Sequence, residues 1–503
     1  MGMRMGEWFD RELGGRRVWL FFVFATFAYV LPLILVDYSY IDDSWRSLAA
    51  GMGWAGEGRL FTQLFYNAMT FSGAAPDIFP LPLLMASLAM AWALTRLTFH
   101  YVAEPRLSHC LVVLALWYNP FFLQNLSYQY DGPAMVLSLV AVIFAITFRS
   151  GSRVQQWVVP ALLIALAIGL YQVSINVFFG LCCLELLRGA NERLPWPEWY
   201  PLIGWKLAQT GLAWLIYGAT AYAYMSPDRT LLLNWAADPL LQAETNAGRA
   251  LEKVMLLFHG GLAWVFAGLL LCAAAGSVQV GRRLLERQET GQRNAMTGVL
   301  CLLIVPATVL LVPGVALLFR DFNEGARTLM GFAVLMLLLF YLSHLALAAV
   351  HERLPLLLLI PLLAMLSLSF AYGRVLMVQK TFASSALYAL SYDIASRPAL
   401  RDAKRIYMSV TYSDHWLLGA AGSFKQMPVL RYLLNTDYYM LAENLPKVGI
   451  TNVVAERERR NATRVGYQGF VPLVDSQYYR IYLLGDYGFI VMKEPAPITE
   501  LHW

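Results

Sequence analysis

Two adjacent carboxylates, Asp42 and Asp43, follow an apolar segment by only a few residues, and Arg46 is the next charged residue. A carboxylate can take up a proton as a general base, and an arginine can form two hydrogen bonds to phosphate oxygens. Neighbouring residues project differently from a helix or a strand, so the two acids are not expected to share one proton. One acid is therefore predicted to act in chemistry while the other orients the loop. The alternative for Asp43 is a helix N-cap that pairs with Arg46.

Three later segments carry polar side chains between apolar runs. The segment "NPFFLQNLSYQYDGP" contains Tyr128, Tyr130 and Asp131, "GLYQVSIN" contains Tyr171 and Gln172, and "LFRDFNEGARTL" contains Arg320 and Arg327. Each side chain has an ordinary interpretation as a helix cap, an interfacial aromatic anchor or a lipid-headgroup contact. Together with Arg59 they would form a site of carboxylates and phosphate-binding cations. Whether they meet depends on the elements that connect them.

The composition is that of a membrane protein. Hydrophobic residues make up 58% of the 503 residues, charged residues only 14%, and the mean hydropathy is +0.52. A soluble domain has about 25% charged residues, and here the apolar residues form runs long enough to cross a bilayer. The basic residues lie mostly in short loops between these runs, so the net charge of +5 does not indicate nucleic acid. The five cysteines form neither a CxxC motif nor a Cys/His cluster, so no disulfide framework or zinc site is predicted.

About eleven transmembrane helices are predicted from apolar runs near the roughly 20 residues that a bilayer requires, or shorter. These runs cover residues 18–36, 78–98, 108–121, 132–148, 157–171, 173–187, 204–225, 254–275, 297–317, 328–350 and 355–376. The stretch 157–187 could instead be one long helix rather than a hairpin broken near "GLYQ". That choice reverses the orientation of every later segment.

The distribution of basic residues assigns the two sides. With the hairpin accepted, most arginines lie on one side, at the amino terminus and near residues 96–106, 149–153, 188–193, 282–293 and 353. The positive-inside rule places that side in the cytoplasm. The acidic pair and the three polar segments then face the opposite side. Eleven crossings also export the carboxyl terminus.

Two parts outside the membrane are predicted to have secondary structure of their own. The first external loop, residues 37–77, carries apolar and aromatic residues at helical spacing, which predicts short amphipathic helices along the membrane surface. After residue 376 the pattern indicates strands at 404–412, 452–456, 478–484 and 487–494, with helices at 381–397 and 416–434. We therefore expect a transmembrane domain over residues 1–376 and a small exported α/β domain over residues 377–503.

The external residues suit the transfer of a sugar from a lipid-linked phosphate to a hydroxyl group. A carboxylate would take the acceptor proton while the anomeric carbon gains oxocarbenium character, and arginines would stabilise the departing phosphate. Phosphate is a good leaving group, so no separate general acid is required. An enzyme that used a nucleotide sugar would need a soluble nucleotide-binding domain in the cytoplasm, and no cytoplasmic segment is long enough. The donor is therefore predicted to be carried by a lipid.

Three segments carry a resemblance to a known family. The stretches "YIDDSWRSLAAGMGWAGEGRLF", "NPFFLQNLSYQYDGPAM" and "GLYQVSINVF" resemble the serotype-converting O-antigen glucosyltransferase family (Gtr type II), whose members look like GT-C fold enzymes. The resemblance is best over about residues 35–180 and weak in the tail. It implies a polyprenyl-phosphate-glucose donor, an O-antigen or other surface-polysaccharide acceptor, an inverting transfer, and the periplasmic face of a bacterial inner membrane. It also implies a separate donor synthase and a flippase.

By this resemblance, the first-loop acidic motif of GT-C enzymes falls on Asp42 and Asp43, and the second-loop acid on Asp131. Asp42 is slightly favoured as the general base, which leaves Asp43 to cap the helix and pair with Arg46. The predicted substrate-binding side chains are Arg46, Arg59, Tyr128, Tyr130, Tyr171, Gln172, Arg320 and Arg327, the last two as phosphate contacts. No cofactor is expected to be required, although the adjacent acids could help to hold a divalent metal ion. The exported domain is predicted to bind or orient the acceptor.

Two other functional classes fit part of the sequence. A transporter or flippase of lipid-linked saccharides would also have many helices and external carboxylates. Such proteins often show inverted repeats and ionisable residues near the bilayer midplane, and this chain has neither an internal repeat nor a deeply placed acid pair. A receptor or assembly scaffold would explain the exported domain but not the first loop. The glycosyltransferase is therefore the favoured interpretation.

Overall fold

The computed structural model describes residues 12–192, 196–226, 238–285, 291–320, 322–409, 417–434, 442–455, 467 and 469–493. The first ten helices are α1 (Gly15–Val36), α2 (Asp43–Ala49), α3 (Leu60–Thr70), α4 (Leu81–Tyr101), α5 (Leu107–Leu114), α6 (Phe122–Ser127), α7 (Asp131–Thr147), α8 (Arg153–Leu170), α9 (Ser174–Asn191) and α10 (Trp196–Ala219). They are followed by α11 (Pro239–Met255), α12 (Gly260–Leu285), α13 (Gly291–Leu310), α14 (Phe332–Val350), α15 (Leu359–Ala395), α16 (Pro398–Arg401), α17 (Ala421–Gln426) and α18 (Val429–Leu434). Short 3-10 turns cover Ala55–Glu57, Tyr222–Tyr224, Gly314–Leu318, Ala326–Thr328, Leu354–Leu358, Leu418–Ala420 and Ala442–Val448.

The expected helical membrane protein is confirmed. Within the described ranges, six helices are long and apolar enough to cross a membrane, namely α1, α4, α8, α12, α14 and α15, the last together with the turn before it. The hairpin within 157–187 is found as two helices, since α8 ends at Leu170 and α9 begins at Ser174. The number of eleven crossings stays a prediction.

One predicted helix is broken. The apolar run 108–121 forms α5 only as far as Leu114, and α6 begins at Phe122. Pro120 has no backbone N–H to donate, and the side chain of Asn119 accepts a hydrogen bond from the N–H of Phe121 at 3.0 Å, which competes with helix formation. The prediction of one continuous helix was therefore wrong. The break leaves polar residues of α6 free to contact neighbouring loops.

The helices pack against one another along their lengths and expose apolar side chains outward. The close approach of α12 and α14 depends on Gly276, where a Cβ atom would lie 2.0 Å from the carbonyl oxygen of Leu342. The outer surfaces carry large apolar side chains such as Phe24, Leu271 and Leu302, which are 72%, 73% and 76% exposed. Such surfaces are suited to contact with lipid tails, because a membrane protein is surrounded by hydrocarbon where a soluble protein is surrounded by water.

The connecting segments gather at two opposite ends of the helices. At one end, the N–H of Leu13 donates to Pro105, Arg106 pairs with Glu352 at 3.2 Å, and Arg283 donates to Asn191 at 2.9 Å. At the other end, Thr62 donates to the carbonyl of Leu170 at 3.0 Å, and Asn176 donates to that of Pro313 at 3.1 Å. The three polar segments and the first loop share this second end. The amino-terminal arginines up to residue 11, residue 193 and residue 287 lie outside the described residues.

The carboxyl-terminal part contains a five-stranded sheet. The strands are β1 (Arg405–Ser409), β2 (Val453–Ala455), β3 (Val474–Asp475), β4 (Tyr479–Leu484) and β5 (Tyr487–Met492). Their order is β2-β1-β5-β4-β3, with β1 parallel to β2 and β5, and with β4 antiparallel to β5 and β3. Strands occur in all four predicted places, while residues 410–412, 416, 456 and 494 of the predicted elements lie outside the described part of the chain.

The sheet has a hydrophobic core of its own, which includes Ile406, Ile481 and Ile490 and is closed by Leu390 and Ile394 of α15. Helix α15 runs from Leu359 to Ala395 and passes the predicted boundary at residues 376/377 without a break. The helix thus connects the bundle to the sheet as one continuous element. The division into two domains at that boundary stays a prediction.

Candidate functional site

The first loop contains the helices that its pattern predicts. Helix α1 ends at Val36, where Asp37 adopts a left-handed conformation (φ 47°) and Lys380 donates to the carbonyls of Val36 and Asp37 at 2.8 and 2.7 Å. The short helices α2 and α3 follow, separated by the turn at residues 55–58. Gly58 has a φ of 71°, and a Cβ atom there would lie 2.6 Å from the hydroxyl of Tyr217. Only glycine fits this turn, which places Glu57 and Arg59 on either side of it.

Asp43 fastens the first loop to the second. Its side chain is fully buried and accepts hydrogen bonds from the backbone N–H groups of Tyr40 at 2.9 Å, Gln129 at 2.9 Å and Tyr130 at 3.2 Å. Burial raises the pKa of Asp43 to about 8, although these N–H donors act to lower it. The predicted cap and the predicted pair with Arg46 are not formed, because both carboxylate oxygens face these backbone donors.

Asp131, at the start of α7, accepts hydrogen bonds from side chains of the first loop. Its Oδ1 accepts from Arg59 at 2.6 Å and from the indole N–H of Trp54 at 2.9 Å, while its Oδ2 lies 3.6 Å from Nε of Arg46. Burial lowers the pKa of Arg59, but Asp131 and Glu57 outweigh this effect and raise it overall. Asp131, the second-loop acid, thus holds two arginines in place.

These residues surround a cavity of about 280 Å³. It is lined by Asp42, Trp45, Arg46, Glu57, Arg59, Asp131 and Arg327. In the described part of the chain, the carboxylate of Asp42 has no hydrogen bond or ion pair. Arg46 is 2% exposed and lies between two indole rings, 4.7 Å from that of Trp45 and 4.2 Å from that of Trp54. Its Nε and Nη1 atoms and Nε of Arg59 are buried without a hydrogen-bond partner.

Helix α6 positions Arg327 through its backbone. Gln124 Oε1 accepts from the N–H of Arg327 at 2.7 Å, and Asn125 Nδ2 donates to its carbonyl at 3.3 Å. The hydroxyl of Tyr171 donates to the same carbonyl at 3.3 Å, and Nη1 of Arg327 donates to the hydroxyl of Tyr128 at 2.7 Å. Burial would lower the pKa of Arg327, but the neighbouring Tyr128 and Tyr171 raise it, so the guanidinium stays charged.

The other predicted residues of the second and third loops contact the side chains and loops that form the cavity. Tyr171 packs under the guanidinium of Arg59 at 4.9 Å, and Gln172 donates to the carbonyl of Glu57 at 2.7 Å. Tyr130 supplies its N–H to Asp43, and its ring stacks on Tyr66. Tyr128, Tyr130, Tyr171 and Gln172 are therefore close to the site without lining the cavity.

Arg320 lies elsewhere. It lines a second cavity with α11, whose residues include Gln242 and Arg249, and the structure does not bring it to the first cavity with Arg327. Sequence reasoning also missed Trp45, Trp54 and Gln124. A polar Gln-Asn pair inside the buried run of α6 was the available signal for Gln124, because buried amides are normally hydrogen-bonded.

The carboxyl-terminal part contacts the first loop at two places. The hydroxyl of Tyr40 donates to the carbonyl of Leu434 and accepts from Gln124 Nε2 at 3.1 Å. The turn Ala442–Val448 packs against α2 and brings Lys447 close to the acids of the loop. Burial lowers the pKa of Lys447, while Asp77, Asp43 and Asp37 act to raise it. The carboxyl-terminal part thus holds the loop that carries Asp42 and Asp43.

Comparison with known proteins gives one family and one relative. A family model described as "Glucosyl transferase GtrII" matches residues 31–338, a range that includes every residue lining the first cavity. The chain is 27% identical over 157 residues to a protein of Salmonella phage P22 described as "Uncharacterized 55.3 kDa protein in gtrB 5'region". The matched part covers 31% of this chain and 32% of the phage protein, about a third of its length. No solved structure gives a significant match.

Proposed function

Because the chain belongs to the GtrII glucosyl transferase family, we propose that it moves a glucosyl or similar residue from a polyprenyl-phosphate sugar to O-antigen or another surface polysaccharide. The observation that carries the proposal is the carboxylate of Asp42. It lines the same cavity as Arg46, Arg59 and Arg327, and among the described residues it has no partner of its own. A general base must be free to take a proton, and Asp42 is the acid of the loop that meets this condition.

The reaction follows from the arrangement of charges. The acceptor hydroxyl attacks the anomeric carbon of the donor, its proton passes to Asp42, and the bond from that carbon to the phosphate oxygen breaks. The electron pair of that bond leaves with the polyprenyl phosphate. Negative charge therefore develops on the phosphate, and preorganised guanidinium groups stabilise it.

The N–H groups of Arg46 and Arg59 that make no hydrogen bond support a phosphate at this place. A buried donor without a partner costs about 1–3 kcal/mol, and a phosphate oxygen would remove this cost while gaining charge-assisted hydrogen bonds. Arg327 would add a third cation, since its charge is retained despite its partial burial. We assign these three arginines to the donor phosphate, in place of the pair Arg320 and Arg327.

Among the described residues that line the cavity, Asp42 is the one carboxylate without a partner, which favours inversion. A retaining transfer needs a second carboxylate as nucleophile, close to the anomeric carbon. Asp131 is bound to Arg59 and Trp54, and Glu57 pairs with Arg59 at 3.5 Å. Asp43 is buried with both oxygens occupied. One base and one displacement then give the opposite anomer of the donor.

The proposed location is the bacterial inner membrane, with the cavity and the carboxyl-terminal sheet on the periplasmic side. Support comes from the concentration of arginines at the opposite end of the helices, which the positive-inside rule places in the cytoplasm. The donor would then be made by a synthase and turned outward by a flippase before it reaches the cavity. No metal is proposed to be required, and within the described ranges no three His, Cys, Asp or Glu side chains converge.

The test is sugar transfer by the purified protein from synthetic polyprenyl-phosphate-glucose to a lipid-linked glycan, with and without EDTA. Asp42→Asn should lower kcat by about 10²–10⁴-fold while the protein stays folded and binds donor, because the base is lost. Asp43→Asn is the same substitution at the neighbouring acid, and it should mainly lower the stability of the protein. Normal transfer by the Asp42 variant would refute the mechanism, and a wild type that only binds or moves the lipid would indicate a transporter. Loss of activity in EDTA, restored by magnesium or manganese, would overturn the metal-free proposal.

A further inference from the structure

A second cavity of about 920 Å³ lies between α11 and the segment that carries Arg320. It is lined by Asp238, Leu241, Gln242, Thr245, Asn246, Arg249 and Arg320. The six positions on and before α11 follow the helical repeat i, i+3, i+4, i+7, i+8 and i+11, so they form one face of the helix. The volume falls within the roughly 300–1,000 Å³ that ligand pockets usually occupy.

The opposite face of α11 carries exposed apolar side chains. Leu240, Leu251 and Met255 are 82%, 56% and 51% exposed, respectively, and α11 is not among the helices that could cross a membrane. A helix with a polar face and an exposed apolar face lies along the surface of a bilayer. The second cavity therefore opens at the membrane surface, where the head of a lipid-linked molecule would be.

Hydrogen bonds hold the walls of this cavity and leave its charged groups available. Gln242 Nε2 donates to the carbonyl of Arg320 at 2.9 Å, which joins α11 to the facing segment. As far as the structure describes the chain, the guanidinium of Arg320 and the carboxylate of Asp238 have no ion pair or hydrogen bond. The wall thus offers donors and acceptors side by side. Such a mixture suits the hydroxyl groups of a saccharide better than a polyanion, which Asp238 would repel.

The two cavities are connected by one short segment. This segment brings Arg320 to the second cavity and, seven residues later, Arg327 to the first. Between them, Glu324 pairs with Arg249 and Lys253 of α11, each at 3.5 Å. The segment is therefore fixed to α11, and a ligand in the second cavity would lie beside the site of transfer.

We propose that the second cavity binds the saccharide part of a lipid-linked acceptor. This inference rests on the proposed function, since it assumes that the first cavity takes the donor phosphate. The acceptor lipid would lie along the apolar face of α11, while its sugar units contact Arg320, Asp238 and the amide of Gln242. This assignment moves acceptor binding from the carboxyl-terminal sheet to α11.

The test measures transfer kinetics with polyprenyl-phosphate-glucose as donor and lipid-linked O-antigen oligosaccharide as acceptor. Arg320→Gln and Asp238→Asn should each raise the acceptor KM about tenfold, with the donor KM and the kcat at saturating acceptor unchanged. Arg320 is exposed and asparagine tolerates the left-handed conformation of Asp238 (φ 32°), so both variants should fold. Glu352→Gln, at an exposed carboxylate on the opposite end of the helices, is the matched control and should keep both KM values.

Two competitors distinguish recognition of the saccharide from recognition of the lipid head. The oligosaccharide freed from its lipid should inhibit the wild type in competition with the acceptor, and about tenfold more weakly in Arg320→Gln. An unchanged acceptor KM in both variants would overturn the assignment, as would competition by sugar-free polyprenyl diphosphate alone. A raised donor KM in Arg320→Gln would show that this cavity takes the donor. A wild type that transfers no sugar would instead refute the proposed function.

Discussion

Asp42 and Asp43 are adjacent in the chain but have different surroundings. Asp42 lines the cavity, whereas Asp43 is buried under backbone N–H groups of residues 129 and 130. The sequence could predict that the two acids would divide their roles, because neighbouring side chains diverge. It could not decide between them, since the deciding contacts come from a segment 86 and 87 residues further along the chain.

Asp43 should make the stability of the protein depend on pH. Its pKa is raised from 3.8 to about 8 in the folded protein, so the folded state holds a proton that the unfolded chain releases. The free energy of unfolding should therefore fall as pH rises from about 4 to 8, with no further loss above that window. Asp43→Asn removes this titration. In detergent, the unfolding temperature of the wild type should exceed that of this variant by less at pH 8 than at pH 5.

The exposed acid Glu244 provides the comparison for that experiment. Glu244→Gln makes the same kind of substitution, a carboxylate to its amide, at an exposed position of α11 outside the contacts between the first two loops. A pH dependence that both variants share is therefore not due to Asp43. If the difference between wild type and Asp43→Asn instead stays constant or widens from pH 5 to pH 8, Asp43 is ionised in the folded protein. In that case its three N–H donors outweigh its burial.

At the scale of elements, most helices could be predicted because an apolar run is a local signal. The exception is the run 108–121, where Asn119 and Pro120 break the helix after Leu114. The cause of the break is local, but its consequence for the site is not. Helix α6 must turn its amides toward the segment that carries Arg327, and only the folded structure shows that these meet.

Gln124 is expected to act on the donor through Arg327. Gln124→Met keeps the size of the side chain but removes the acceptor for the N–H of Arg327 and the donor to Tyr40. An unpaired buried group costs about 1–3 kcal/mol, and a misplaced guanidinium should raise the donor KM several-fold. Unfolding and transfer kinetics measure the two effects separately.

Gln209 supplies the control for this substitution. It is also buried and donates one hydrogen bond, to the carbonyl of Gln156 at 2.9 Å, but it lies in α10 away from both cavities. Gln209→Met should lower stability without changing the donor KM. A donor KM that is unaffected by Gln124→Met, or raised equally by both substitutions, would show that α6 does not position Arg327.

At the scale of the whole molecule, the carboxyl-terminal part is both a separate core and a support for the first loop. Its strands were predictable from aromatic and β-branched residues, as in "YYRIYLL". Its contact with the loop was not, because the carbonyl of Leu434 meets Tyr40 across 394 positions of the chain. Deleting the tail would therefore disturb Asp42 and Asp43 whether or not the sheet binds acceptor, and point variants are the better test.

The two ends of the helices should face different compartments. Gly73 in the first loop and Gly151 between α7 and α8 are both exposed, and a Cβ atom at either would meet nothing within 4 Å. Gly73→Cys should react with a membrane-impermeant maleimide in intact cells, and Gly151→Cys only after the membrane is disrupted. The wild type, with its native cysteines, gives the background to subtract.

Each labelling pattern has a consequence for the reaction. Labelling of Gly73→Cys from outside places Asp42 and the three arginines where the donor must be turned outward before use, so transfer would need a flippase. The reverse pattern would put the cavity in the cytoplasm, where the donor could bind as soon as it is made. The arginines near residues 149–153 would then face outward, against the positive-inside rule. Labelling of both positions from outside would mean that α4, α5–α6 and α7 do not make an odd number of crossings between residues 73 and 151. The predicted order of helices would then be wrong.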